Sequence, residues 1–216
     1  VSSFSLYEKE AGAAKSVDSL TSNKIELYVQ GRAGSAPEGF AAPQAVSGST
    51  SFNKCTTSQQ SDLLAARSAA SNYAADSLAY LNANKTGARY TTWFGVFDST
   101  RYSTVRTNFS KISSAMDTAS IKFDCGCKKK YYAYVYPNQP YTIYLCSVFW
   151  SAPMTGTDSK AGTLIHEMSH FTVVAGTDDF VYGQTGAKNL AITDPAKAIK
   201  NADNHEYFAE NTPALP

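Results

Sequence analysis

Histidine is scarce in this chain, with three among 216 residues, so a site built on imidazole can be assembled in few ways. No apolar run approaches the ~20 residues needed to cross a bilayer, and no charged-then-apolar leader opens at Val1. An excess of either charge is missing too. Nineteen Lys and Arg against 18 Asp and Glu leave a net +1, which gives no electrostatic reason to expect nucleic acid or an anionic membrane as partner. Paired Cys-x-x-Cys spacing is absent, and Cys125-Gly126-Cys127 is too tight for a usual zinc hook. Four cysteines, Cys55, Cys125, Cys127 and Cys146, therefore read as two disulfides of an exported, extracellular protein, with three pairings open. No cysteine precedes Cys55, so the N-terminal stretch has no thiolate to offer a metal.

What is present is enough for one well-packed domain: 43% of the residues are hydrophobic. Two of the three histidines fall in Gly162-Thr163-Leu164-Ile165-His166-Glu167-Met168-Ser169-His170. If this stretch is helical, His166 and His170 lie one turn apart on one face and can converge on one metal ion, with Glu167 beside them. A catalytic zinc takes three protein ligands and keeps a position for water, which it acidifies while a carboxylate takes the proton. The stretch thus reads as that of a peptide-bond hydrolase. The third ligand is not fixed by spacing. His205 lies 35 residues beyond His170 and no cysteine follows, so the nearby candidates are Asp178 and Asp179, brought back by a break at Gly176.

With Gly176-Thr177-Asp178-Asp179-Phe180-Val181-Tyr182-Gly183 downstream, the His-Glu-x-x-His pattern resembles the aspzincins, the deuterolysin-type zinc metalloendopeptidases. The resemblance implies that His166, His170 and Asp179 hold one Zn2+ per chain, that Glu167 is the general base, and that Tyr182 donates to the oxyanion. It also implies the pairings Cys55 with Cys125 and Cys127 with Cys146. Arg89-Tyr90-Thr91-Thr92-Trp93-Phe94-Gly95 and Asn201-Ala202-Asp203-Asn204-His205-Glu206-Tyr207-Phe208 are similar to blocks of the peptidyl-lysine metalloendopeptidase subgroup. There, the positions matching Asp203 and Glu206 line the S1′ pocket, which implies cleavage on the amino side of lysine. The two carboxylates are three apart, hence neighbours on one helix face that would attract an ammonium group. His205 cannot face the same way and is read as a structural hydrogen-bonding residue.

The expected fold is α+β, zincin-like and mostly helical, with a small antiparallel sheet or hairpin. The resemblance begins near Phe52 or Cys55. Residues 1–44 are expected to be the tail of a prosegment and its linker, and 45–216 the catalytic domain, so the chain as written is a latent precursor, a zymogen. Lys24–Val29 alternates like a strand, and 31–43 is a Gly- and Pro-rich connector. A helix should start near Thr57 with Ser58 as N-cap, its stripe running through Leu63, Leu64, Ala66, Ala70, Tyr73, Ala74, Leu78 and Leu81. A second helix spans Ser99 to Ser113, with Trp93 and Phe94 before it assigned to packing. Tyr131–Tyr136 and Tyr141–Cys146 form a hairpin about Pro137-Asn138-Gln139-Pro140, a candidate edge for pairing with substrate backbone. Asp158 or Ser159 caps the motif helix. Gly186–Ile192 is helical, and Asp194-Pro195 starts a last helix carrying Asp203 and Glu206. Asn84-Lys85-Thr86 and Asn108-Phe109-Ser110 are sequons. Taken together, the expected partners are protein and peptide substrates with lysine at P1′, acted on by a secreted monomer. The rival reading is a secreted non-catalytic binding protein with a structural zinc helix.

Overall fold

The structure, a computed structural model, describes the strand Tyr7–Glu10, by its backbone, and residues 46–216. The expected strand at Lys24–Val29 and the connector at 31–43 lie outside the described residues.

Thr56, not Ser58, caps the first helix, α1 (Thr57–Asn82): its hydroxyl accepts from Gln59 N at 3.2 Å, and the Gln59 side chain accepts from Thr56 N at 2.9 Å. This reciprocal pair satisfies two donors that a helix start leaves open, which Ser58, already the second residue of the helix, cannot do. Leu63, Ala66, Ala70, Ala74 and Leu81 are buried along α1, whereas Leu64 is 51% exposed and drops out of the expected stripe. Small alanines let α3 (Ser99–Thr118) and the motif helix α4 (Lys160–His170) pack closely on α1. The α3 helix is longer than its apolar stripe foretold, capped by Asp98, and buries Tyr102, Val105, Phe109 and Ile112.

Between α1 and α3 lies a helix the sequence reading did not assign, α2 (Ala88–Phe94). Its Arg89 is buried, donating to Phe208 O at 3.0 Å and pairing with Asp76 at 2.8 Å, while Trp93 and Phe94 are core residues as expected. Asn108, the second sequon, is also buried and packed on His205, so in this fold only Asn84 of the two is exposed.

The sheet is mixed, its strands in the order Tyr7–Glu10 (β1), Tyr131–Val135 (β4), Thr142–Leu145 (β5), Ile121–Asp124 (β3) and Thr50–Asn53 (β2). Strands β4 (Tyr131–Val135) and β5 (Thr142–Leu145) form the expected antiparallel hairpin, with Tyr134 opposite Tyr144. To it are added β3 (Ile121–Asp124), parallel to β5, and β2 (Thr50–Asn53), parallel to β3. On the other side β1 (Tyr7–Glu10) runs antiparallel along β4, so Tyr7 faces Val135 and Glu10 faces Tyr131. Disulfides join Cys55 to Cys125 and Cys127 to Cys146, the pairings the resemblance implied. Buried Arg67 ties the sheet to the helices, donating to Ser49 O, Met116 O and Ala119 O at 2.8 to 2.9 Å.

Helix α5 (Gly183–Thr193) contains the expected Gly186–Ile192 segment. The single last helix expected from Asp194 is instead two: α6 (Pro195–Ala198), which Asp194 caps, and α7 (Ala202–Glu210). Strand-like backbone bonds interrupt it, Asp178 N to Lys200 O at 2.8 Å and Ala202 N to Asp178 O at 3.0 Å. Those bonds use the groups that a continuous helix would have paired internally.

Candidate metal centre

Every residue of α4 is buried, so the helix behaves as the axis of the domain. Ser159 caps it, its hydroxyl accepting from Gly162 N at 2.9 Å. Glu210 completes that end from α7: its carboxylate accepts from Ser159 N at 2.8 Å, Ser159 Oγ at 2.9 Å and Asp158 N at 3.1 Å. A carboxylate at a helix N-terminus is favoured by the unpaired N–H groups there. Gly162 is required beside it, because a Cβ would meet Glu210 Oε1 at 2.0 Å.

At the other end, α4 stops at His170, before the expected break. Phe171 leaves the helix, a turn carries the chain to Gly176 at φ +58, and the backbone returns beneath the helix, with Thr177 N donating to Ser169 O at 3.1 Å. This return brings Asp179 under both histidines. Asp179 Oδ1 lies 3.2 Å from His166 Nε2 and 3.4 Å from His170 Nε2. Asp178 is directed elsewhere, its carboxylate accepting from Asp179 N at 2.8 Å.

Each histidine is oriented by its other nitrogen. His170 Nδ1 lies 2.9 Å from the Thr177 carbonyl and His166 Nδ1 lies 2.7 Å from Asp203 Oδ1. Both partners accept, so both Nδ1 atoms carry the proton and both Nε2 lone pairs face Asp179. Carboxylate and carbonyl partners of this kind are what metal-binding imidazoles use.

The donor set fits zinc. The three ligand atoms lie within 4.8 Å of one another. Tetrahedral geometry with ligand bonds of about 2.0–2.1 Å puts neighbouring donors ~3.3 Å apart, and the two distances from Asp179 are 3.2 and 3.4 Å. Those distances exceed those of charge-assisted hydrogen bonds, and His166 Nε2 and both Asp179 oxygens are buried without a hydrogen-bond partner. Such groups are costly unless something satisfies them. Burial opposes charge on His166, yet Asp179 and the carboxylates behind it hold its pKa well above the ordinary imidazole value. Burial likewise opposes charge on Asp179, and the two histidines overcome it, holding its carboxyl far below the usual range. A site that so favours positive charge at its centre suits a divalent cation.

Glu167 is fully buried on α4, and Tyr182 is half-buried at the start of α5. On α7, Asp203 and Glu206 are both buried, and Glu206 Oε2 lies 3.3 Å from His166 Nδ1. The two carboxylates thus meet at one imidazole, a link that helix spacing did not show. Asn201 was also missed. Its side chain accepts from Phe180 N at 2.8 Å and Val181 N at 3.2 Å, fixing the loop between Asp179 and Tyr182. Its place at the N-cap of α7 was the available signal. His205 is structural as expected: its Nδ1 donates to Asn201 O at 2.9 Å, and its Nε2 accepts from the Asn108 amide at 3.1 Å.

Comparison with known proteins agrees with this geometry. The family profile of the lysine-specific metallo-endopeptidases, aspzincin M35, matches residues 79–210. An extracellular protease of Aeromonas hydrophila is 56% identical over 212 residues, covering 96% of this chain and 61% of that protein. A peptidyl-Lys metalloendopeptidase of Pleurotus ostreatus is 54% identical over 166 residues, covering 76% of this chain and 98% of the relative. The structure of a zinc peptidase from Grifola frondosa superimposes with a TM-score of 0.73 at 55% identity, covering 75% of this chain and all of that one. The chain spans about three fifths of the Aeromonas protein and about half of the peptidyl-Lys metalloendopeptidases of Grifola frondosa and Armillaria mellea. By family profile, sequence identity and fold together, the chain belongs to the aspzincin family of lysine-specific metallo-endopeptidases.

Proposed function

We propose that this chain is the precursor of a secreted zinc endopeptidase that cuts on the amino side of lysine. The observation that carries the reading is the trio His166 Nε2, His170 Nε2 and Asp179 Oδ1, buried, with the carboxylate oxygen 3.2 and 3.4 Å from the two nitrogens and all three within 4.8 Å of one another. These residues would hold one zinc per chain. When bound, the ion supplies Lewis acidity toward the scissile carbonyl and an acidified water.

The protein's own groups do the rest. Glu167 takes the proton from the attacking water and hands it to the leaving amine. Tyr182 donates a hydrogen bond to the oxyanion as the carbonyl carbon becomes tetrahedral. The acidic pair Asp203 and Glu206 gives the S1′ side of the site the charge that an incoming lysine ammonium seeks. A structural zinc helix in a non-catalytic binding protein would need neither Glu167 nor Tyr182, which disfavours that reading.

Residues 45–216 form the catalytic domain in this proposal, and 1–44 the end of a prosegment. The position of β1 supports latency. It lies along β4, the hairpin strand packed on α4, and so occupies a sheet edge that an extended substrate would otherwise pair with. The family and the name of the Aeromonas relative, an extracellular protease, agree with export, and no helix among the described residues is long and apolar enough to cross a membrane. The working form is proposed to be a monomer.

The test is proteolysis that a chelator abolishes and zinc restores, with cut sites mapped on peptide libraries and the N-terminus of the active species read by mass spectrometry. Cuts before lysine, and a mature N-terminus within 43–52, are expected. Equal rates before lysine and leucine remove the specificity, full activity with Val1 still in place removes the latency, and activity indifferent to chelation removes the metal chemistry.

A further inference from the structure

We infer that Asp203 and Glu206 are not an equivalent pair: Asp203 is a positioning residue that ties His166 to the Tyr182 loop. The inference rests on the zinc endopeptidase reading.

His166 has one proton on Nδ1 to donate, and two carboxylates reach for it. Asp203 Oδ1 is at 2.7 Å, the distance of a charge-assisted hydrogen bond, while Glu206 Oε2 is at 3.3 Å. The proton therefore goes to Asp203. Its second oxygen, Oδ2, accepts from Gly183 N at 2.6 Å, the amide directly after Tyr182. One carboxylate thus fixes the ring of a metal ligand with one oxygen and the backbone behind the oxyanion donor with the other. Asp203 sits in the first turn of α7, and its side chain and that of Glu206 are both closed to solvent, at 1% and 0% exposure.

The neighbouring Asn201 strengthens the same clamp. Its side chain holds Phe180 N and Val181 N, so the start of α7 grips the whole loop from Asp179 to Gly183. Loss of the Asp203 carboxylate should loosen His166 and that loop together. Glu206, one turn on, contributes negative charge beside the same ring, with the longer distance to it.

The experiment compares Asp203→Asn and Glu206→Gln in the processed enzyme. Zinc affinity is measured by competition with a chromophoric chelator, ligand geometry by the visible spectrum of the cobalt-substituted protein, and specificity by paired peptides with lysine or leucine at P1′. For D203N we expect zinc affinity to fall about 10–100-fold, the range for lost outer partners of a metal histidine, with an altered cobalt spectrum. For E206Q we expect unchanged zinc affinity and spectrum and a lysine preference lowered by roughly tenfold or more, as when one partner of a buried charge pair is removed. D203A serves as a second variant. Added formate is expected to recover part of its zinc affinity by returning an acceptor to His166 Nδ1. Wild-type zinc affinity in D203N, or zinc loss equal in the two variants, overturns the inference. Failure of the unsubstituted enzyme to bind zinc would instead overturn the reading beneath it.

Discussion

The two faces of α7 treat histidine in opposite ways. Toward α4, the helix presents Asp203 and Glu206, and the imidazole they meet, His166, is held well above its ordinary pKa against the cost of burial, by Asp179 first and these carboxylates after it. Toward α2 and α3 it presents His205 and Phe208. There the His205 ring packs against Phe94 at 5.3 Å and Phe109 at 5.5 Å, and burial lowers its pKa to about 4. Both rings are fully buried. The difference lies in the partners: carboxylates on one face, a carbonyl, an amide and aromatic rings on the other. One face of the helix is therefore built for a cation and the other for packing.

The largest effect should come from the metal face. Glu167→Gln is expected to lower kcat/KM by about 10²–10⁴-fold, the range for a positioned general base, while zinc content by elemental analysis stays at the level of the unsubstituted protein. Full turnover in that variant would place the chemistry elsewhere. On the packing face, Phe208→Ala should show the converse. The ring touches Tyr80, Phe94 and Phe109, with Arg89 over it at 4.6 Å. Its removal is expected to cost about 3–5 kcal/mol in urea denaturation. A loss below ~1 kcal/mol would mean this face is not what holds α7 in place.

The smallest effect sharpens the contrast through pH. His205 titrates at about 4 in the folded chain and near the ordinary ~6.5 when unfolded. Between those values the unfolded state binds more protons, so stability is full above pH ~6.5 and falls as pH drops toward 4, by about 3 kcal/mol in all from this residue. His205→Gln should flatten that part of the stability-against-pH curve, measured by urea denaturation from pH 4 to 7. Parallel curves for the two proteins would show that the acid sensitivity comes from elsewhere.

The parts of the fold legible in sequence are those with a local signature. The motif helix, the tyrosine-rich hairpin, and the apolar stripe of α3 each follow from a period or a turn within a few residues. The parts missed depend on distant partners. Strands β2 and β3 are four residues each and pair with one another across about 70 residues of chain, so neither has a local reason to exist. Helix α2 looks like a connector until Arg89 is seen to reach Phe208 O and Asp76. At the site, His166, His170 and Glu167 were legible from helix geometry, and the choice of Asp179 over Asp178 needed the family pattern. That Asp203 touches His166, and that Glu210 caps the motif helix, are contacts between elements 37 or more residues apart. No spacing rule encodes them.

The arrangement of crosslinks has a consequence for handling. Both cystine bridges belong to the sheet side, one closing β2 onto β3 and the other joining the stretch before β4 to the end of β5, while α4, α5, α6 and α7 carry none. On that helical side the ion bound between α4 and the returning loop is the only comparable fastener that the proposed chemistry supplies. Each half then answers to its own reagent. A thiol would slacken one and a sequestrant the other, and a folding compartment that is oxidising but starved of zinc would deliver a molecule stitched along a single flank.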